Sequence, residues 1–97
     1  MFDHMVMFRF KNGTTADEID AISAGSATLP SQIGVLSRYR FGPDAEATEG
    51  SWDYGVAAEF VDEAHYAEYS NHPAHVAVFK ERIEPVVAEI ARVQLRS

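Results

Sequence analysis

An α+β fold with the element order β-α-β-β-α-β is what this sequence predicts, and three observations carry the prediction. The stretches Phe2 to Phe10, Ile33 to Phe41 and Trp52 to Phe60 repeat their apolar residues with a period of two, and Pro85 to Leu95 is β-branched and alternating. Helix-start signals stand between them, at Thr15 and at Asp62. The chain has 97 residues, and domains centre on ~100 to 150, so residues 1–97 are expected to form a single domain.

Taking the elements in order, the first strand puts Phe2, His4, Val6, Phe8 and Phe10 on one face and Asp3, Met5, Met7 and Arg9 on the other. Both faces carry apolar bulk. Lys11-Asn12-Gly13 turns the chain, and Thr15-Ala16-Asp17-Glu18 fits a capping box, in which hydroxyl and carboxylate satisfy early helical N–H groups reciprocally. The helix presents Ile19, Ile22, Ser26 and Leu29 and is expected to stop at Leu29-Pro30. The second strand, Ile33 to Phe41, lines up Ile33, Val35, Ser37, Tyr39 and Phe41 and ends at Gly42-Pro43-Asp44. A loop over 42–51 leads to the third strand, with Trp52, Tyr54, Val56, Ala58 and Phe60 on one side.

Asp62 caps the second helix, and Asn71-His72-Pro73 interrupts it. A residue before proline avoids the helical region, while proline suits the first helical position, so His72 is expected to be an N-cap between two helical pieces. Val76, Phe79 and Ile83 line the second piece. In the last strand Val87, Ala91, Val93 and Leu95 are expected on one face and Val86, Ala88 and Ile90 on the other. This order is the ferredoxin-like arrangement, a four-stranded antiparallel sheet with the helices on one face. The opposite face then lacks cover although Met5, Met7 and a row of Val and Leu point to it. Exposed apolar patches of this kind mark interfaces, and sheet-to-sheet pairing with an identical copy is the economical cover, so a homodimer is expected.

Charge excludes several partners. Fifteen acids against eight bases give −7, and between Phe41 and Phe79 there are eight acids and no Lys or Arg. Phosphate backbones need a basic face, so neither nucleic acid nor an anionic membrane surface is expected as a partner. With no cysteine, disulfides, thiolate metal sites and thiol nucleophiles drop out together. The longest uncharged run, Ala21 to Ser37, carries Gly25, Pro30, Gly34 and four serines and does not read as a membrane span. Met1 to Val6 has no basic start leading into a long apolar core, so the cytoplasm is the expected compartment. Asn12-Gly13-Thr14 reads as a turn rather than a glycosylation acceptor.

Chemistry is concentrated in Tyr66 to His75 together with His4 on the first strand. A helix start disfavours imidazolium, so His75 in the first turn after the proline is expected to stay neutral and able to act as a base. Tyr69 can donate to a carbonyl oxygen as charge develops on it. The competing structural reading takes His72-Pro73-Ala74-His75 as a capping and packing device, and His4 as a satisfied core residue. A metal on His4, His72 and His75 is disfavoured by the proline break, so no metal and no cofactor are expected.

The strand Phe2-Asp3-His4-Met5-Val6-Met7-Phe8-Arg9-Phe10-Lys11, the segment Trp52-Asp53-Tyr54-Gly55-Val56 and above all Tyr69-Ser70-Asn71-His72-Pro73-Ala74-His75-Val76 resemble the stress-responsive dimeric α/β barrel (Dabb) family. The resemblance covers nearly the whole chain. It implies a homodimer in which two four-stranded sheets close into a barrel. One branch of that family is similar to plant polyketide cyclases, in which a tyrosine and a histidine of the YxxHPxH stretch carry an aldol-type ring closure with help from a strand-one histidine. By position those roles fall to Tyr69, His75 and His4, while Tyr54 stands where that branch has a further histidine.

The expectation is one apolar cavity per subunit between sheet and helices, taking a small aromatic or carbonyl-bearing compound. Val6, Phe8, Val76 and Phe79, with Tyr54 and His72, would form its walls, and His75, Tyr69 and His4 would supply acid–base chemistry of cyclase or lyase type. The alternatives are a non-catalytic stress or assembly protein, and a cofactor-free monooxygenase on the same fold.

Overall fold

The computed structural model describes residues 1–97. They form β1 (Phe2–Phe10), α1 (Ala16–Ala27), α2 (Leu29–Gln32), β2 (Arg38–Pro43), β3 (Tyr54–Phe60), α3 (Glu63–Asn71), α4 (Pro73–Val78), a π-helical turn (Phe79–Ile83) and β4 (Val87–Arg96). The strands make one antiparallel sheet in the order β2-β3-β1-β4, with the helices on one face, as an α+β ferredoxin-like fold requires.

Alternation sets the core. On β3, Tyr54, Val56, Ala58 and Phe60 are buried while Gly55, Ala57 and Glu59 between them are half-buried. Phe2, His4, Val6 and Phe8 do the same on β1, and the helical layer meets them with Ile22, Leu29, Tyr69, Val78 and Ile83. Ile22 and Phe60 are fully enclosed at 0% exposure.

The helix starts follow their sequence signals. The Thr15 hydroxyl accepts from the Glu18 N–H at 3.2 Å, and the Glu18 carboxylate accepts from the Thr15 N–H at 2.9 Å. Asp62 accepts from the His65 N–H at 2.9 Å. His72 stands outside the helical region at ψ 133° and its Nδ1 accepts from the Ala74 N–H at 3.0 Å, so the residue before the proline caps α4.

Three boundaries depart from expectation. Pro30 ends α1 but also opens α2, because a first helical turn does not need the N–H that proline lacks. Ile33 closes that turn onto the Leu29 carbonyl at 2.8 Å, so β2 begins at Arg38 instead of Ile33. The third strand starts at Tyr54 because Trp52 and Asp53 form a corner: the Asp53 carboxylate accepts from the Phe10 N–H at 3.0 Å, and Arg9 lies 4.4 Å over the Trp52 ring. A departure of register lies in β4. Arg9 faces Glu89 but Phe10 faces Val87, which leaves Ala88 as an extra residue, a β-bulge. One extra residue inverts the alternation. Val87 therefore shares the helix-side face with Ile90, Arg92 and Gln94, and the predicted grouping of Val87 with Ala91, Val93 and Leu95 does not hold.

The far face of the sheet carries Met5, Met7, Gly55, Ala57, Ala91, Val93 and Leu95. Met7, Val93 and Leu95 are 41%, 48% and 50% exposed, leaving an apolar surface with no cover within the chain. No helix is long and apolar enough to cross a membrane.

Truncating the enclosed ring in Phe60→Ala should lower stability by about 3–5 kcal/mol. Thr15→Ala, which removes only the cap, should cost about 1 kcal/mol. Urea unfolding of both variants beside the parent checks the ranking.

Candidate functional site

Between the inner face of the sheet and the helical layer lies a cavity of about 230 Å³. β1 lines it with His4, Val6 and Phe8, β2 with Tyr39, and β3 with Val56. The helices add Tyr66, Tyr69, Ser70, His75 and Val76, the π-helical turn adds Phe79 and Ile83, and Arg92 enters from β4. Val76 and Arg92 are exposed and form its rim.

Local sequence explains how these groups arrive. The alternation of β1 turns His4, Val6 and Phe8 inward together. The cap at His72 lets the chain change direction between α3 and α4, so His75 packs back against the end of α3. Its ring centroid is 4.4 Å from that of Tyr69, and its Nδ1 is 3.1 Å from the Ser70 carbonyl oxygen. The π-helical turn inserts a residue into the helical path and directs both Phe79 and Ile83 to the cavity.

Hydrogen bonding decides the tautomers. A carbonyl only accepts, so His75 carries its proton on Nδ1 and presents an unprotonated Nε2. Burial lowers the pKa of His75, the neighbouring His72 adds to this, and the Ser70 hydrogen bond opposes it. The expected helix-start effect is thus secondary to burial. His4 is 7% exposed and its Nδ1 accepts from the Gln94 amide at 2.9 Å, which leaves the proton on Nε2. Burial, with smaller contributions from the charges of His75 and Arg92, lowers the His4 pKa to about 4. Tyr69 moves the other way: burial, reinforced by Tyr39 and Tyr66, holds the hydroxyl protonated far above its ordinary range. Burial also raises Tyr39, whose hydroxyl neighbours Tyr69 and Ser26. The pocket therefore holds two neutral imidazoles and a phenol that remains a donor.

Of the residues singled out from the sequence, His4, Val6, Phe8, Tyr69, His75, Val76 and Phe79 line this cavity. His72 and Tyr54 do not. The His72 ring is committed to its cap. Tyr54 is 1% exposed beneath α1, with its hydroxyl 2.7 Å from that of Ser23, so it fills the core instead of walling the cavity. Sequence reasoning placed Tyr66 in the functional stretch without a role and gave Tyr39, Ser26 and Arg92 no part in the cavity. The inward parity of Tyr39 with Phe41 was a usable signal, whereas the bulge at Ala88 hid the side to which Arg92 turns. No three His, Asp or Glu side chains gather in a ligand group.

Residues 2–95 match the stress responsive A/B barrel domain. The chain belongs to this family. A stress-response A/B barrel domain-containing protein of Arabidopsis thaliana is 29% identical over 92 residues, covering 89% of this chain and 80% of the relative. A dimeric ferredoxin-like protein from Thermobifida fusca superposes with a TM-score of 0.91 at 29% identity, over 99% of this chain and 90% of that one. The hydroxynitrile lyase of Passiflora edulis superposes at 0.82 with 18% identity, over 97% of this chain and 90% of the lyase, a likeness of fold. The A/B barrel fold thus sets the frame, and the cavity residues individualise it.

His4 and His75 both have folded pKa values below the ordinary 6.5. As pH falls through 6.5 the unfolded chain takes up protons that the folded chain refuses, so stability is full above 6.5 and declines toward pH 4, where folded His4 itself titrates. The slope is at most ~1.4 kcal/mol per pH unit for each histidine. In His4→Gln the loss between pH 7 and 5, read by urea unfolding, should be measurably shallower than in the parent.

Proposed function

We propose that this A/B barrel protein is a homodimeric small-molecule enzyme of lyase or cyclase type, acting on an aromatic carbonyl compound. The observation that carries the reading is the pairing of an unprotonated His75 Nε2 with a protonated Tyr69 hydroxyl beside one apolar cavity. A cavity of ~150 Å³ accepts benzene, so about 230 Å³ suits one ring with a short arm. A non-catalytic assembly protein would have no need of such a cavity.

In this reading His75 Nε2 removes a proton from the carbon beside the carbonyl. The electron pair of the broken C–H bond moves through the carbon framework onto the carbonyl oxygen, where the Tyr69 hydroxyl donates a hydrogen bond. In the cyclase direction the enolate then attacks a second carbonyl, forming a C–C bond as the π pair of that carbonyl moves to its oxygen, and the alkoxide takes the proton back from His75. In the lyase direction His75 instead takes the proton of a hydroxyl group, the O–H pair becomes the second bond of the new carbonyl, and the pair of the adjacent C–C bond departs with the leaving carbon as a stabilised carbanion, which takes the proton back from His75. His4, with Nε2–H available, is a further donor. The hydroxynitrile lyase on this fold performs, by its name, a reaction of the lyase class.

The dimer forms through the far face of the sheet, where Met7, Val93 and Leu95 are exposed. The Thermobifida protein of the same fold is dimeric, and pairing two such faces removes from water the patch that one chain leaves open.

His75→Ala should slow proton exchange on ketones such as phenylacetone, followed by NMR in D₂O, at least about a hundredfold. Tyr69→Phe should cost about 10²- to 10³-fold. Undiminished exchange in His75→Ala rejects the assignment. Val93→Asp should shift sedimentation at micromolar concentration from dimer to monomer, and a parent protein that is already monomeric there overturns the interface.

A further inference from the structure

Charge around the cavity runs against the charge of the chain. The protein carries fifteen acids and a net charge of −7, yet no Asp or Glu lines the cavity, and the one Lys or Arg that does is Arg92. Arg40 and Lys80 lie outside the cavity lining, and the other five cations are occupied. Arg96 and Arg38 pair with Glu63 and Glu59, Arg82 and Lys11 donate to the Ala21 and Pro85 carbonyls, and Arg9 covers Trp52. Arg92 has neither a carboxylate partner nor a hydrogen-bonded one within the chain.

Position matters as much as charge. Arg92 pairs in register with Val6 on the helix-side face of β4, next to Gln94, which holds His4. Arg92 and His4 line the same cavity, and the positive charge helps to disfavour imidazolium at His4. From the rim it can meet an anion while the rest of a ligand reaches the apolar lining of Val6, Phe8, Val56 and Ile83. A planar guanidinium presents parallel N–H donors matched to a carboxylate. One positive charge balances a monoanion, and neutral His4 and His75 contribute no more. A phosphate dianion would be left undercompensated.

Resting on the reading of this cavity as a ligand site, we infer that Arg92 selects an aromatic monocarboxylate, holding the acid group at the rim with the ring inside. The substrate class narrows accordingly from aromatic carbonyl compounds to aromatic oxo-acids.

The experiment compares 3-phenylpropanoate with its neutral near-isostere 3-phenylpropanamide by calorimetry on the full-length protein. The parent should bind the carboxylate about tenfold or more tightly than the amide, as charge-assisted hydrogen bonds require. Arg92→Gln should abolish that preference, weakening carboxylate binding much more than amide binding, and Arg92→Lys should recover only part of it. Arg92 is exposed, so these variants should fold, which urea unfolding beside the parent verifies. Equal binding of both compounds to the parent overturns anion selection but leaves the cavity reading standing. Preference retained in Arg92→Gln overturns the role of Arg92. Binding of neither compound overturns the cavity reading and this inference with it.

Discussion

Proline has no backbone N–H and pushes the residue before it out of the helical region, and at His72-Pro73 this elementary restriction positions the site. An uninterrupted helix would keep His75 on a cylinder continuous with Tyr69. Instead α3 ends at Asn71, the His72 ring caps α4, and His75 returns to bond the Ser70 carbonyl. That contact fixes the tautomer, and the tautomer decides which nitrogen is free to act as a base. The structural and catalytic readings of this stretch therefore do not compete. His72 does the capping and His75 faces the cavity, three residues apart in one short motif.

Burial does the remaining electrostatic work. Removing water destabilises imidazolium and phenolate alike, so one desolvated space keeps the histidines unprotonated and the tyrosines protonated near neutral pH. The acids of this strongly negative chain stay away from that space. An acidic side chain there with no cation beside it would favour imidazolium. Net charge thus says little about a cavity whose lining holds no acid.

The edge strand links the two faces of the sheet. Its extra residue at Ala88 sends Val93 and Leu95 outward beside Met5 and Met7, and sends Arg92 and Gln94 inward toward His4. Without the bulge the parities would exchange, placing apolar residues at the cavity rim and charges in the middle of the apolar face. A single inserted residue thus serves the uncovered surface and the cavity together.

Much of this was legible along the chain because the signals are local. The alternation of β1 and β3, the capping box at Thr15 to Glu18, the cap at Asp62 and the break at His72-Pro73 each involve residues within a few positions of one another, and each appears where the local rules put it. The same locality made His4, Tyr69 and His75 visible as candidates. Local signals failed where a partner distant in sequence decides the outcome. Tyr54 reads as a cavity wall until Ser23, 31 residues away, claims its hydroxyl. The phase of β4 depends on how Arg9 and Phe10 of β1 pair with it. By itself the sequence determined the order of the strands and the main helices and marked the candidate side chains, because propensity, capping and periodicity are short-range. Tertiary structure alone decided which of those side chains share one dry space, which tautomers they hold and that Arg92 stands at its mouth, because strand register and desolvation depend on residues brought together from opposite ends of the chain.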